Sequence, residues 1–200
     1  MATPTTRNSL GDQFPGILIA AQDGGEWAVA VLYRWLHPAV VGYLRARAGD
    51  DAEDLASETW MAVARGLGNF SGDETAFRSW VFTIAHRRLI DNHRVAARRP
   101  STRTLHPVEG EGHDGPLEMS AGDDPAGEVI AAAAGDEAVR RIVELLPKDQ
   151  AEIVLLRVVA GLPVDEVAAI TGRRPGTVRV LQHRALRRLA ERFELPVDEM

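Results

Sequence analysis

A chain of 200 residues can form one domain of ordinary size or two small ones, and its formal net charge of −6 excludes a uniformly basic nucleic-acid coat, so any affinity for DNA has to be local. The absence of cysteine excludes disulfides, thiolate metal sites and a cysteine nucleophile. Apolar runs fall far short of the roughly 20 residues that span a bilayer, and no basic-then-apolar leader opens the chain, which predicts a cytoplasmic protein without membrane insertion.

Residues 1–13 are polar and read as a flexible amino terminus. From Phe14 an apolar run reaches Asp23-Gly24-Gly25, which predicts a short helix stopped by glycines. Trp27, Val31, Leu32 and Trp35 then trace one helical face up to Pro38, whose missing N–H predicts a kink or a break, and Val40, Val41 and Leu44 continue it to Gly49. Asp50 to Asp54 put acids in the first turn of another helix, where free backbone N–H groups favour negative charge. In it Leu55, Thr59, Ala62 and Val63 can face inward, which leaves Asp54, Ser57, Glu58 and Met61 outside. Those acids need do no more than cap the helix and keep it soluble.

Gly66 to Thr75 has the composition of a loop, and helix resumes near Phe77. Between Phe77 and Arg99, the aromatics Phe77, Trp80 and Phe82 are followed by a line of arginines opposed by Asp91 alone. Rings interleaved with cations suit single-stranded nucleic acid, since bases stack on rings while arginines follow the backbone. The same rings can equally fill a core. Residues 100–135 turn to glycine, proline and acid, and this self-repelling composition reads as a flexible acidic linker.

Beyond it, Val139 to Leu146 and Ile153 to Val159 carry two more apolar faces, which buttress a helix-turn-helix pattern from Leu162 to Phe193. Val164, Val167, Ala168 and Ile170 form its first period, Gly172 breaks it, and Val178, Leu181, Ala185 and Leu189 form the second. Pro175 suits the first helical position. From Arg173 to Phe193 seven arginines stand against the single acid Glu191, a phosphate-seeking surface. A helix about 10–12 Å across fits a major groove about 12 Å wide, with arginine forks, Thr177 and Gln182 as candidate base contacts. A solvated amphipathic hairpin would carry the same pattern. No phosphate loop, zinc-protease histidine pair or nucleophile elbow is present, and His86 and His93 would need further ligands to hold a metal, so neither enzymatic activity nor a cofactor or metal is expected.

Taken together the pieces resemble a bacterial RNA polymerase sigma factor of the extracytoplasmic-function (ECF) group. Leu32-Tyr33-Arg34, Asp51-Ala52-Glu53-Asp54-Leu55, Glu58-Thr59, Phe77-Arg78-Ser79-Trp80 and Arg88-Leu89-Ile90-Asp91 are similar to that family's region 2. Leu146-Pro147, Val154-Leu155-Leu156-Arg157, Gly161-Leu162, Glu166-Val167-Ala168 and Gly176-Thr177-Val178-Arg179 with His183-Arg184-Ala185 are similar to its region 4. The resemblance implies an all-α chain of two small helical domains: a region 2 bundle over 14–99 and a region 4 helix-turn-helix over 136–194, with the acidic linker between them and a tail over 195–200.

It further implies that Asp54, Ser57, Glu58 and Met61 dock on the beta-prime clamp helices of core RNA polymerase. Asn69, Phe70, Ser71, Phe77, Arg78, Trp80, Arg87 and Arg88 would hold the melted minus-ten strand. Arg173, Arg174, Thr177, Arg179, Gln182, His183 and Arg184 would meet the minus-thirty-five element of promoter DNA. An anti-sigma factor is the implied regulator. The family often has glutamine where Ser57 stands and serine where Pro163 stands, and Val180-Leu181-Gln182 replaces a common serine-arginine-leucine run. The rival reading is a stand-alone helix-turn-helix regulator of duplex operator DNA.

Overall fold

The computed structural model describes residues 9–98, 139 and 143–193, and all regular structure among them is helical. The expected linker over 100–135 and the tail over 195–200 lie outside the described residues.

Helix α1 (Phe14–Gln22) carries Pro15 in its first turn and is followed by Gly24 at φ +87°, a backbone that favours glycine. Helix α2 (Glu26–Ala48) continues through Pro38, so of the kink or break that its sequence suggests, the break does not occur. Pro38 lies on the exposed side, where the freed carbonyl of Arg34 can meet water, while buried Leu36, Ala39 and Val40 hold the axis on the other side. After a turn at Gly49 (φ +59°), α3 (Ala52–Gly66) buries Leu55, Ala56, Thr59 and Val63. Helix α4 (Glu74–Arg98) starts earlier than its aromatic pattern indicates, because the Asp73 carboxylate accepts the N–H of Ala76 at 2.8 Å as an N-cap. Phe14, Trp35 and Phe77 pack with ring centroids within 6.3 Å of one another, and Tyr43 meets Phe82 edge-on at 5.7 Å.

Helix α5 (Lys148–Val154) passes into a π-helical turn over Leu155–Val159. Helices α6 (Val164–Thr171) and α7 (Pro175–Phe193) follow, joined through Gly172 in the left-handed conformation at φ +67°. Helix α6 has no side-chain cap, as Pro163 at its N-cap requires. Leu146, Ala151, Val154, Ala185 and Leu189 form a small apolar cluster of their own where α5 meets α7.

The two halves dock on each other. Ile153, Leu155, Leu156, Ala160 and Leu162 belong to one continuous apolar core with α1 to α4. A polar joint lies beside it: Glu152 Oε1 stands 3.5 Å from both Arg47 Nη2 and His86 Nδ1, and Arg47 Nη1 donates to the Lys148 carbonyl at 2.8 Å. His86 Nδ1 is also 3.0 Å from the Tyr43 hydroxyl. Burial pushes the His86 pKa below its ordinary value, against the opposing pull of Glu152 and with a smaller contribution from Arg47. Burial also pushes the Tyr43 phenol up, and Glu152 adds to that shift.

Candidate nucleic-acid and protein interfaces

Helix α3 buries its apolar side against α2 and α4 and leaves a mixed acidic and apolar side in water. Asp54, Ser57 and Glu58 are exposed there, and Met61 is 53 % exposed. Glu58 lies 3.7 Å from Arg88 in an open ion pair of small energetic value. Asp51, Asp54, Leu55 and Glu58 line a shallow groove toward Asn92, Val95 and Ala96 of α4. An acidic rim around exposed apolar atoms suits a protein surface that offers arginines and aliphatic side chains.

The loop between α3 and α4 is tightly built. Phe70 stacks on Trp80 at 5.1 Å and 24°, and it meets Phe77 edge-on at 5.3 Å. Gly66 lets the Trp80 ring approach, since a Cβ there would lie 2.8 Å from that ring. Asn69 and Ser71 are exposed on either side of Phe70, and Arg87 is exposed further along α4. Two residues of the expected strand-holding set face inward instead. Phe77 is 0 % exposed and offers no face to a base in this arrangement. Arg78 is 8 % exposed: it lies over Trp35 at 4.8 Å, sits 3.7 Å from Glu74 and donates to the Ala160 carbonyl at 3.2 Å. Burial lowers its pKa and Glu74 partly restores it.

On the helix-turn-helix, Arg174, Thr177, Arg179, His183 and Arg184 are exposed and Arg173 is half-buried. The core-facing apolar residues are Val178, Leu181, Ala185, Leu189 and Ala190, so the apolar and cationic sides separate along α7. Gln182 faces inward at 8 % exposure, and its Oε1 accepts from Arg157 Nε at 3.0 Å. Arg157 also donates to the Leu162 carbonyl, so this pair ties α7 to the π-helical turn rather than leaving Gln182 for a base. His86 and His93 make separate contacts, His93 Nε2 lying 3.3 Å from the Arg47 carbonyl, and no metal-holding group of three His, Asp or Glu occurs among the described residues.

Sequence reasoning passed over Gln22, Glu74 and Glu152. Glu152 carried a legible signal: a lone acid inside the apolar run Ala151 to Leu156 needs a partner, here Arg47 and His86.

Two family models match the chain, Sigma-70 region 2 over residues 32–99 and Sigma-70, region 4 over residues 136–189. The ECF RNA polymerase sigma factor SigD of Mycobacterium tuberculosis is 31% identical over 188 residues, covering 90% of this chain and 84% of that protein. The ECF RNA polymerase sigma factor ShbA of Streptomyces griseus is 34% identical over 177 residues, covering 84% of this chain and 89% of that protein. Among solved structures, CnrH in complex with the cytosolic domain of CnrY aligns at a TM-score of 0.59 with 20% identity, over 92% of this chain and 98% of that one. The sigma factor RpoE of Bartonella quintana, in complex with the anti-sigma factor NepR, aligns at 0.57 with 22% identity, over 85% of this chain and 98% of that one. These two likenesses are of fold.

Proposed function

This chain belongs to the ECF group of bacterial RNA polymerase sigma factors, and from that premise we propose how its surfaces divide the work of starting transcription. It is a transcription initiation factor rather than a catalyst, since nucleotidyl transfer is performed by the polymerase it joins. The carrying observation is that region 2 and region 4 follow one another along a chain that stays 31% identical to an ECF sigma factor over 188 residues.

In this reading the exposed face of α3, with Asp54, Ser57, Glu58 and Met61, docks on the clamp helices of core polymerase. Its acids complement basic side chains and Met61 supplies adaptable apolar area. The loop bearing Asn69, Phe70 and Ser71, with Trp80, Arg87 and Arg88 on α4, takes the opened minus-ten strand by stacking and backbone contacts. Phe77 and Arg78 support that surface from below. Arg173, Arg174, Thr177, Arg179, His183 and Arg184 meet the minus-thirty-five duplex, with Gln182 bracing their helix. The working place is the cytoplasm, where core polymerase is. An anti-sigma factor would regulate the chain by covering the α3 face and α7; the Bartonella quintana sigma factor RpoE is itself in complex with an anti-sigma factor.

The test is run-off transcription from a genomic promoter library by purified core polymerase, with and without the protein. New start sites sharing two spaced elements are expected. No new start sites, together with tight binding of a duplex operator by the protein alone, would make the chain a stand-alone regulator instead.

A further inference from the structure

Helix α1 lies outside the residues matched by Sigma-70 region 2, and it buries Phe14, Ile17, Leu18 and Ala21. The segment just ahead of α1 and the last residue of α1 are hydrogen-bonded to the two sides of the loop between α3 and α4. Ahead of its amino end, Glu74 Oε2 accepts from Ser9 Oγ at 2.9 Å, from the Leu10 N–H at 3.0 Å and from the Gly11 N–H at 2.8 Å. Residues 9–11 are thereby bonded to the first residue of α4. At its carboxyl end, Gln22 Nε2 donates to the Leu67 carbonyl at 2.9 Å and to the Phe70 carbonyl at 2.7 Å. Phe14, the first residue of α1, packs on Phe77 at 5.7 Å, which fixes the start of α1 against the first turn of α4.

We propose that α1 is a splint for the minus-ten reading loop, and that Gln22 is the positioning residue that sets its base selectivity. The proposal rests on the reading of that loop as the base-capturing element. Its chemistry is that of a primary amide, whose two N–H groups can satisfy two carbonyls on successive sides of a tight turn. The Phe70 carbonyl belongs to the residue flanked by the exposed Asn69 and Ser71, so the amide fixes the backbone from which both candidate base-reading side chains project. A loop held before the base arrives does not pay its ordering cost at capture, and the spacing of its donors and acceptors is set in advance.

The experiment uses the full chain in holoenzyme with core polymerase, on a promoter library randomised across the minus-ten element. Base preference, core-polymerase affinity and dependence on the upstream element are read for wild type, Gln22→Ala, Gln22→Lys and Asn69→Ala. Gln22→Ala should flatten the preference at the loop-read position about five- to tenfold, the scale of one to two lost hydrogen bonds, with core affinity and upstream dependence unchanged. Gln22→Lys keeps donors within reach of both carbonyls and should retain most of the preference. Asn69→Ala should alter preference at the same position. A uniform fall in transcription with preference intact in Gln22→Ala would reduce Gln22 to a structural residue and overturn the proposal. If Asn69→Ala shifts preference while Gln22→Ala does not, the splint is overturned and the loop reading stands. If neither does, both fail.

Discussion

The α1–α4 half is built on rings, with Phe14, Trp35, Tyr43, Phe70, Phe77, Trp80 and Phe82 in or against its core, whereas residues 143–192 contain no phenylalanine, tyrosine or tryptophan. Charge is handled differently as well. Several arginines of the first half are paired with acids, as in Arg45 with Glu53 at 2.7 Å, Arg88 with Glu58 at 3.7 Å and Arg94 with Asp91 at 3.4 Å. On α7 Arg187 pairs with Glu191 at 3.0 Å, while Arg179 and Arg184, like Arg174 just before the helix, stand in solvent. Stacking and restrained charge suit an element that must seat particular bases of a single strand. Exposed guanidinium groups on an aliphatic scaffold suit an element that attracts duplex phosphates over a distance. In the proposed division of labour, the two halves would differ in physical mechanism as well as in promoter element.

Phe77→Ala should be the most disruptive single change, costing about 3–5 kcal/mol, since that ring joins α1, α2 and the loop. Denaturant unfolding followed by circular dichroism measures it, and Val178→Ala in the aliphatic half should cost clearly less. Glu152→Ala should come next, at about 2–3 kcal/mol, because it strands the Arg47 charge at the joint. Dyes placed on α1 and α7 should then move apart in energy-transfer measurements while helicity persists; an unchanged distance would show that apolar docking alone joins the halves.

The binding surfaces should separate cleanly. Glu58→Lys should weaken core-polymerase binding about tenfold, roughly 1.4 kcal/mol, with the fold and promoter preference intact. Arg179→Ala should weaken promoter use a few-fold and lower the salt slope by about 1, with core affinity unchanged. Equal loss of both functions in either variant would break the division. The smallest expected effect is with pH. Burial depresses the His86 pKa, so its neutral form is favoured in the docked state. The stability this provides is present above the unfolded value of about 6.5 and is lost as pH falls through the folded value, so docking should loosen on acidification. His86→Gln should remove that dependence in the same energy-transfer assay.

Much of the fold was legible because the relevant signals are local. Gly172 as a left-handed cap, Pro175 at a helix start, and Leu55, Thr59 and Val63 as the buried stripe of α3 all follow from backbone sterics and helical period. Pro38 does not end α2, because a proline's effect on a helix depends on which side of it faces water, and that is set by the neighbours. Phe77, Arg78 and Gln182 illustrate the limit for sites. Residue type marks them as able to stack or donate, and only packing reveals that Phe77 fills the core, Arg78 spans to Ala160 and Gln182 answers Arg157.

From its sequence alone, this protein's family, helical class, two-part organisation and the cationic face of α7 could be deduced, because each depends on residue type at short spacing. The docking of the halves through Glu152, Arg47 and His86, and the clasp of α1 across the reading loop, were decided by tertiary structure. Gln22 and the carbonyls it bridges are 45 and 48 residues apart in the chain. Backbone carbonyls look the same in every sequence, so no residue pattern at that separation announces which of them a glutamine will meet.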